Sequence, residues 1–190
     1  MLNKSTTQDL PSTGKQRTLV LVKSGLLVAV SIVLVYMIHF PIFPAVSFLE
    51  YDPADIPILI GAFAFGPIAG ILLTVITSVI QGLTVSSASG VYGIIMHIIA
   101  TSTLVIVSSL IYHRQKTRRA ALLGLLCGMC GMALVMIVAN LYITPLFMGV
   151  SRDAVWSLMP FIIGFNLIKA GINGVVTFFV YKRISRFLKK

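Results

Sequence analysis

The sequence predicts an all-α membrane protein of six transmembrane helices. Both termini are expected in the cytoplasm, with a short second helix and an outer lid loop between helices one and two. Three observations carry this. Of the 190 residues 57% are hydrophobic and only 11% charged, less than half the share of about 25% in soluble domains. The mean hydropathy is +1.00, which also excludes a disordered chain, because disorder needs low hydrophobicity. Finally, the apolar residues fall into helix-length runs separated by basic segments. Six spans of about 20 residues use roughly 120 residues, which leaves no room for a separate soluble catalytic domain.

The elements follow in order. Residues 19–39 form a first span, and Pro41 and Pro44 end it, because proline lacks a backbone donor and clashes with the preceding turn. Residues 41–54 read as an apolar but irregular loop. Residues 55–65 form a short second helix that stops at Gly66-Pro67, a stop-and-restart signal. The third helix spans 67–83, and a Ser-rich loop covers 84–90. The fourth spans 91–112, the fifth 120–147 with Pro145 ending it, and the sixth 157–181. The chain divides into a polar N-terminal tail (1–18), a membrane domain (19–181) and a basic C-terminal tail (182–190). No cleavable signal is evident: the stretch before the first span is polar, and no small-residue cleavage site follows that span.

Charge sets the orientation. A net charge of +10 in a soluble protein would invite a nucleic-acid partner. Here the basic residues lie between apolar runs, so membrane lipid is expected and nucleic acid is not. All but two of the 15 Lys and Arg fall into three clusters: Lys4, Lys15, Arg17 and Lys23; Arg114, Lys116, Arg118 and Arg119; Lys182, Arg183, Arg186, Lys189 and Lys190. Cytoplasmic loops carry the Lys/Arg excess, and six crossings put all three clusters on that face. The opposite face then holds Glu50, Asp52, Asp55, Arg152 and Asp153. Cys127 and Cys130 lie inside an apolar run without a second pair, so they read as small packing residues rather than a disulfide or metal site.

Lys169 stands apart. It lies near the middle of the sixth span, roughly 20 Å of helix from either end. A lysine there costs about 2.5–3.5 kcal/mol on insertion scales, so it is expected to face a cavity or partner. Asn166 and Asn173, at i−3 and i+4, share its helix face. Asn140 gives span five a comparable polar point. Asn166 and Lys169 read as ligand residues, whereas Asn173, deeper in the span, reads as packing. Asn140 suits either a ligand contact or an interhelical hydrogen bond.

Several chemistries are excluded. No acid is expected within the membrane, so proton coupling has no carrier. His39, His97 and His113 are scattered without a paired nucleophile, and His97 reads as a packing residue. No H-E-x-x-H, no paired Cys set and no P-loop occur. The chain therefore reads as neither an enzyme nor an ATPase, and no metal or cofactor is expected. Binding of a small or flat ligand with polar edges remains. The outer loop offers Phe48, Glu50 and Tyr51, beside Phe40 and Phe43, as a cover over such a ligand. On helix one, Gly25 and Ala29 form a small-x-x-x-small pair suited to close helix approach, within the bundle or against a second membrane protein.

Taken together, these residues resemble the substrate-binding S components of energy-coupling-factor (ECF) vitamin transporters, most closely the riboflavin-specific members. The resemblance covers about residues 19–181. It rests on Asp52-Pro53-Ala54-Asp55-Ile56-Pro57 running into Leu59-Ile60-Gly61-Ala62-Phe63, on Phe65-Gly66-Pro67, and on Pro160-Phe161 followed by Phe165-Asn166-Leu167-Ile168-Lys169. It implies a six-helix vitamin-binding subunit that captures riboflavin from the outer side. It also implies a transmembrane T subunit and two cytoplasmic ATPases as partners in the cell membrane. Asn140, Asn166 and Lys169 would contact riboflavin through polar atoms, with Phe48, Glu50 and Tyr51 closing over it. Gly25 and Ala29 would dock the T subunit. An S component for a different vitamin, or an assembly protein without a ligand, are the alternatives.

Overall fold

The structure, a computed structural model, describes residues 13–188. Lys4, Lys189 and Lys190 lie outside the described residues, as do the side chains of Lys15 and Arg186. The described residues contain seven α-helices: α1 (Thr13–Met37), α2 (Asp55–Phe65), α3 (Pro67–Leu83), α4 (Gly90–Gln115), α5 (Arg118–Met148), α6 (Arg152–Ser157) and α7 (Met159–Leu188). Four of them, α1, α4, α5 and α7, are long and apolar enough to cross a membrane, while α2 and α3 are shorter apolar helices. Parts of both expected tails are helical, since α1 begins at Thr13 and α7 runs to Leu188.

Local chemistry explains most of the breaks. Gly66 at φ 105° takes a conformation that L side chains avoid, and Pro67 opens α3 behind it. Thr117 caps α5 by accepting from the Ala120 N–H at 3.1 Å. Two differences from the sequence reading stand out. Pro145 does not end α5; the helix runs to Met148 and stops at Gly149, which is left-handed at φ 66°. A proline so near the end interrupts few intrahelical bonds, so the glycine decides the stop. The stretch ahead of the last span is also not loop. Ser151 accepts from the Ala154 N–H at 3.3 Å and starts the short helix α6.

The bundle exposes large apolar side chains and buries polar ones within an otherwise apolar core. Large apolar side chains such as Leu21, Leu72, Leu146 and Phe179 are exposed, whereas Thr74, Ser78, Ser108, Asn140 and Asn166 are buried. Several buried hydroxyls return to their own helix: Thr74 donates to the Gly70 carbonyl, Ser78 to Thr74 and Ser108 to Leu104, at 2.9, 2.6 and 2.6 Å. Cys127 and Cys130 are free thiols, but both are exposed on α5 rather than packed inside as expected. An apolar medium outside the bundle removes the usual pressure to bury a thiol.

Close approach of α4 and α5 rests on glycine. A Cβ at Gly124 would stand 2.5 Å from the Ser108 carbonyl oxygen, and one at Gly128 would stand 2.9 Å from that of Leu104. Other contacts fix helix directions. Ser31 Oγ donates to the Ala54 carbonyl at 3.1 Å, and Gly61 lies against Leu27, so α1 and α2 are antiparallel. Past Gly61, the Phe63 ring meets Tyr112 and Tyr181 at centroid distances of 4.7 and 5.3 Å. The Tyr181 hydroxyl donates to the Phe63 carbonyl at 3.1 Å. The far end of α2 therefore meets the ends of α4 and α7 and the start of α1. Arg17, Arg114, Lys116, Arg118, Arg119, Lys182 and Arg183 accordingly belong to this one end.

The segment between α1 and α2 occupies the opposite end. Its edges pair as a short antiparallel ribbon, β1 (Phe40–Pro41) with β2 (Glu50–Tyr51). The expectation of a wholly irregular loop is thus corrected by two ribbon pairs and a 3₁₀ turn at Pro44–Val46. Val46 is fully buried with Val155, Met159 and Ile162, which docks the loop on α6 and the start of α7. Burying one such valine contributes about 1.5–3 kcal/mol. Phe43 meets Phe161 edge-on at 5.8 Å.

Candidate functional site

Beneath this loop lies a cavity of about 110 Å³. Phe48, Glu50 and Asp52 line it from the loop, Ser78 and Gln81 from α3, His97 from α4, Met132 and Met136 from α5, and Asn166 and Lys169 from α7. Each arrives for a local reason. In α3, Thr74, Thr77, Ser78 and Gln81 form a polar stripe at helical spacing, and all four are buried. In α7, Asn166, Lys169 and Asn173 repeat the pattern.

Lys169 has a partner that the sequence reading did not supply. Its Nζ donates to Asp52 Oδ2 at 2.8 Å, with both residues buried. The expectation that Asp52 and Asp55 sit on the outer face is therefore wrong. The chain after β2 turns into the bundle, and α2 starts inside it. Asp52 Oδ1 also accepts the Ala54 N–H at 3.0 Å, while Oδ2 accepts Gln81 Nε2 at 3.2 Å. Burial alone would push the Asp52 carboxyl up, but the Lys169 charge and the hydrogen bonds from Lys169 and the Ala54 N–H outweigh it and hold it at about 2. The carboxylate therefore stays ionised through the neutral range, and acid weakens this contact only as the pH falls through that value.

Asp55 forms the second half of the network. It accepts from Thr101 Oγ1 at 2.7 Å and from Asn173 Nδ2 at 3.1 Å. Asn173 Nδ2 also donates to the Asp52 carbonyl at 3.1 Å, and the Tyr51 hydroxyl donates to Asn173 Oδ1 at 3.0 Å. Burial, with the negative Asp52 beside it, raises the Tyr51 phenol, which keeps its proton for that bond. His97 is more than a packing residue. Its Nδ1 lies 2.7 Å from Ser78 Oγ, and its Nε2 faces Asp55 Oδ1 at 3.6 Å. At the rim, Glu50 pairs with His39 at 2.7 Å, so the acid that lines the cavity is tied to the end of α1.

Of the residues singled out in the sequence, Phe48, Glu50, Asn166 and Lys169 are brought together on the cavity wall. Tyr51 and Asn140 are not. Tyr51 is turned onto Asn173. Asn140 is fully buried, donates to the Met136 carbonyl at 2.8 Å and accepts from Thr144 at the same distance. It nevertheless sits one turn from Met136, which lines this cavity, and one turn from Thr144, which lines a smaller hollow of about 50 Å³. Phe48, Leu49 and Met96 line both spaces. The α3 contribution, Ser78 and Gln81, was missed, although the stripe from Thr74 to Gln81 is a readable signal. Gly25 and Ala29 are exposed on α1. Gly25 borders a groove of about 690 Å³ shared with Ala69, Leu72 and Ile76 of α3.

Among the described residues no cluster of His, Cys, Asp and Glu has metal-site geometry. The site can offer a donor (Lys169 Nζ), acceptors (Glu50, the Gln81 carbonyl), the His97 imidazole and apolar walls. That is the general anatomy of a pocket for a flat or small polar-edged ligand.

Comparison with known proteins points the same way. Residues 19–181 match the family model for the ECF transporter substrate-specific component. The riboflavin transporter RibU of Staphylococcus aureus is 26% identical over 177 residues, covering 90% of this chain and 92% of that protein. The riboflavin transporter FmnP of Bacillus subtilis is 24% identical over 180 residues, covering 90% and 94%. A solved S component of a bacterial ECF transporter superimposes with a TM-score of 0.79 at 26% identity, covering 92% of this chain and all of that one.

Proposed function

Since the chain belongs to the ECF transporter substrate-specific components, we propose that it is the riboflavin-capturing subunit of such an importer. The observation that carries the reading is the ionised Lys169–Asp52 pair on the wall of a cavity beneath the loop between α1 and α2. Such a pair is costly to keep in a membrane bundle. It is a fitting device for engaging a carbonyl on the polar edge of a flat ring while apolar walls hold the ring itself. The names of the relatives, riboflavin transporters in two organisms, support the choice of vitamin.

The cavity of about 110 Å³ is smaller than the range of about 300–1,000 Å³ usual for such ligands. Capture therefore includes a displacement of Phe48 and Leu49, which merges the two hollows and opens the wall toward Asn140. In the occupied state Asn140, Asn166 and Lys169 contact the ring, and Phe48, Glu50 and Tyr51 stand over it. The chain crosses the cell membrane six times, with α2 and α3 as short spans, both termini in the cytoplasm and the loop on the outer side. The gathering of the basic side chains at one end of the bundle supports this orientation. The subunit works with a transmembrane T subunit and two cytoplasmic ATPases. It has no catalytic residues and needs no metal or cofactor.

Titrating the detergent-purified protein with a panel of vitamins, read by ligand fluorescence or calorimetry, tests the function. Riboflavin is expected to bind at least about 100-fold tighter than vitamins without an isoalloxazine ring, a difference of about 2.7 kcal/mol. Equal or tighter binding of another vitamin would replace riboflavin in this reading.

The exposed Gly25 and Ala29 are proposed to face the T subunit. An added Cβ at Gly25 meets nothing within 4 Å among the described residues, so a larger side chain has room to begin there. Gly25→Leu with Ala29→Leu is expected to leave riboflavin affinity within about twofold, a change below 0.5 kcal/mol. It should abolish co-purification with the T subunit. An intact complex would remove this face from the interface.

A further inference from the structure

We propose that Gln81 reads the imide N–H of the bound flavin, an inference that rests on the riboflavin reading above. Gln81 is buried and lines the cavity. Its amide nitrogen is used twice, toward Asp52 Oδ2 at 3.2 Å and toward Ser86 Oγ at 3.5 Å. Those bonds set the amide's orientation by assigning its NH₂ end. Its carbonyl oxygen Oε1 is buried and has no hydrogen-bond partner among the described residues. A buried amide oxygen left unpaired is destabilising, so a ligand that donates to it recovers that loss on binding.

Chemical context selects the donor. Gln81 Nε2 and Lys169 Nζ both end on the same oxygen, Asp52 Oδ2. The two nitrogens therefore converge on one carboxylate oxygen, and the Gln81 carbonyl is the free end of the same amide. A donor beside an acceptor matches a ring C=O beside a ring N–H, the pattern of the imide edge of isoalloxazine. Lys169 faces the carbonyl and Gln81 accepts from N3–H. A polyol hydroxyl can also donate, but it lacks the rigid neighbouring carbonyl that would engage Lys169 at the same time. Sites that hydrogen-bond a particular N–H discriminate strongly against analogues lacking it, because their own buried group is then left unpaired.

The test pairs a ligand change with a residue change. Riboflavin and 3-methylriboflavin, which lacks the N3 proton, are titrated into wild-type protein, Gln81→Met and Gln81→Ala. Wild type should prefer riboflavin by at least about tenfold, the equivalent of one charge-neutral hydrogen bond. Both variants should bind the two flavins within about twofold of each other. If Gln81 only positions Asp52, its loss weakens both flavins alike and the preference persists, which overturns the proposal. Equal wild-type affinity for the two flavins overturns it as well. Wild-type protein that binds neither flavin overturns the riboflavin reading itself, and this inference with it. Gln81→Met keeps the side-chain length, and thermal unfolding of each variant verifies that the compared proteins are folded.

Discussion

Lys169→Met is expected to lower riboflavin affinity by roughly 10- to 100-fold, the worth of a hydrogen bond to a charged group. It should also destabilise the empty protein. The second effect follows from the 2.8 Å bond to Asp52. Removing one member of a buried pair leaves the other charge uncompensated, at a cost of about 3–5 kcal/mol. Asp52 keeps bonds from Ala54 and Gln81, which place the loss toward the lower part of that range. The double variant Lys169→Met with Asp52→Asn separates the two effects. It removes both charges, so thermal stability in detergent should recover while riboflavin affinity stays low. Full recovery of affinity in the double variant would show that Lys169 serves only to neutralise Asp52.

The second large effect concerns the scaffold. Gly124→Ala is expected to lower the thermal stability of the detergent-purified protein, because its Cβ would meet the Ser108 carbonyl oxygen at 2.5 Å. Backbone has no rotamer by which to retreat, so α4 and α5 must separate, at about 1–3 kcal/mol. Gly131→Ala on the same helix is the control. There the added Cβ finds only side chains at 3.6 and 3.7 Å, which is ordinary contact. With glycine's backbone entropy removed, that change should be neutral or stabilising by up to about 1 kcal/mol. Equal melting temperatures for the two variants would refute the assignment of α4–α5 contact to Gly124.

The fold was legible where the chain follows a helical period or a stereochemical stop. Residues 55–65 and 67–83 agree with α2 and α3, and their junction was readable because glycine tolerates the positive φ that stops α2 and Pro67 suits the first turn of α3. The inward face of α7 was legible too, since Asn166, Lys169 and Asn173 recur at helical spacing in an apolar helix. What the sequence concealed lies in the non-periodic segment. Asp52 and Asp55 were assigned to the outer face because six crossings put their segment opposite the three basic clusters. Asp52 is paired by Lys169, 117 residues away, and Asp55 by Thr101 and Asn173, and no local signal reports such pairings. Asn140 shows the converse. Its polarity in an apolar helix was plain, but the side chain satisfies itself on Met136 and Thr144 of its own helix. Gln81 was overlooked for lack of charge, although it shares a stripe with Thr74 and Ser78.

The central claim is that the buried Lys169–Asp52 pair and the cavity beside it form a flavin site. Size-exclusion chromatography of the detergent-purified protein, incubated with excess riboflavin and followed by flavin absorbance, tests it most directly. The account predicts yellow protein carrying one flavin per chain, with the colour lost in the folded Lys169→Met, Asp52→Asn variant. Colourless wild-type protein, or a double variant that stays as yellow as wild type, would contradict it.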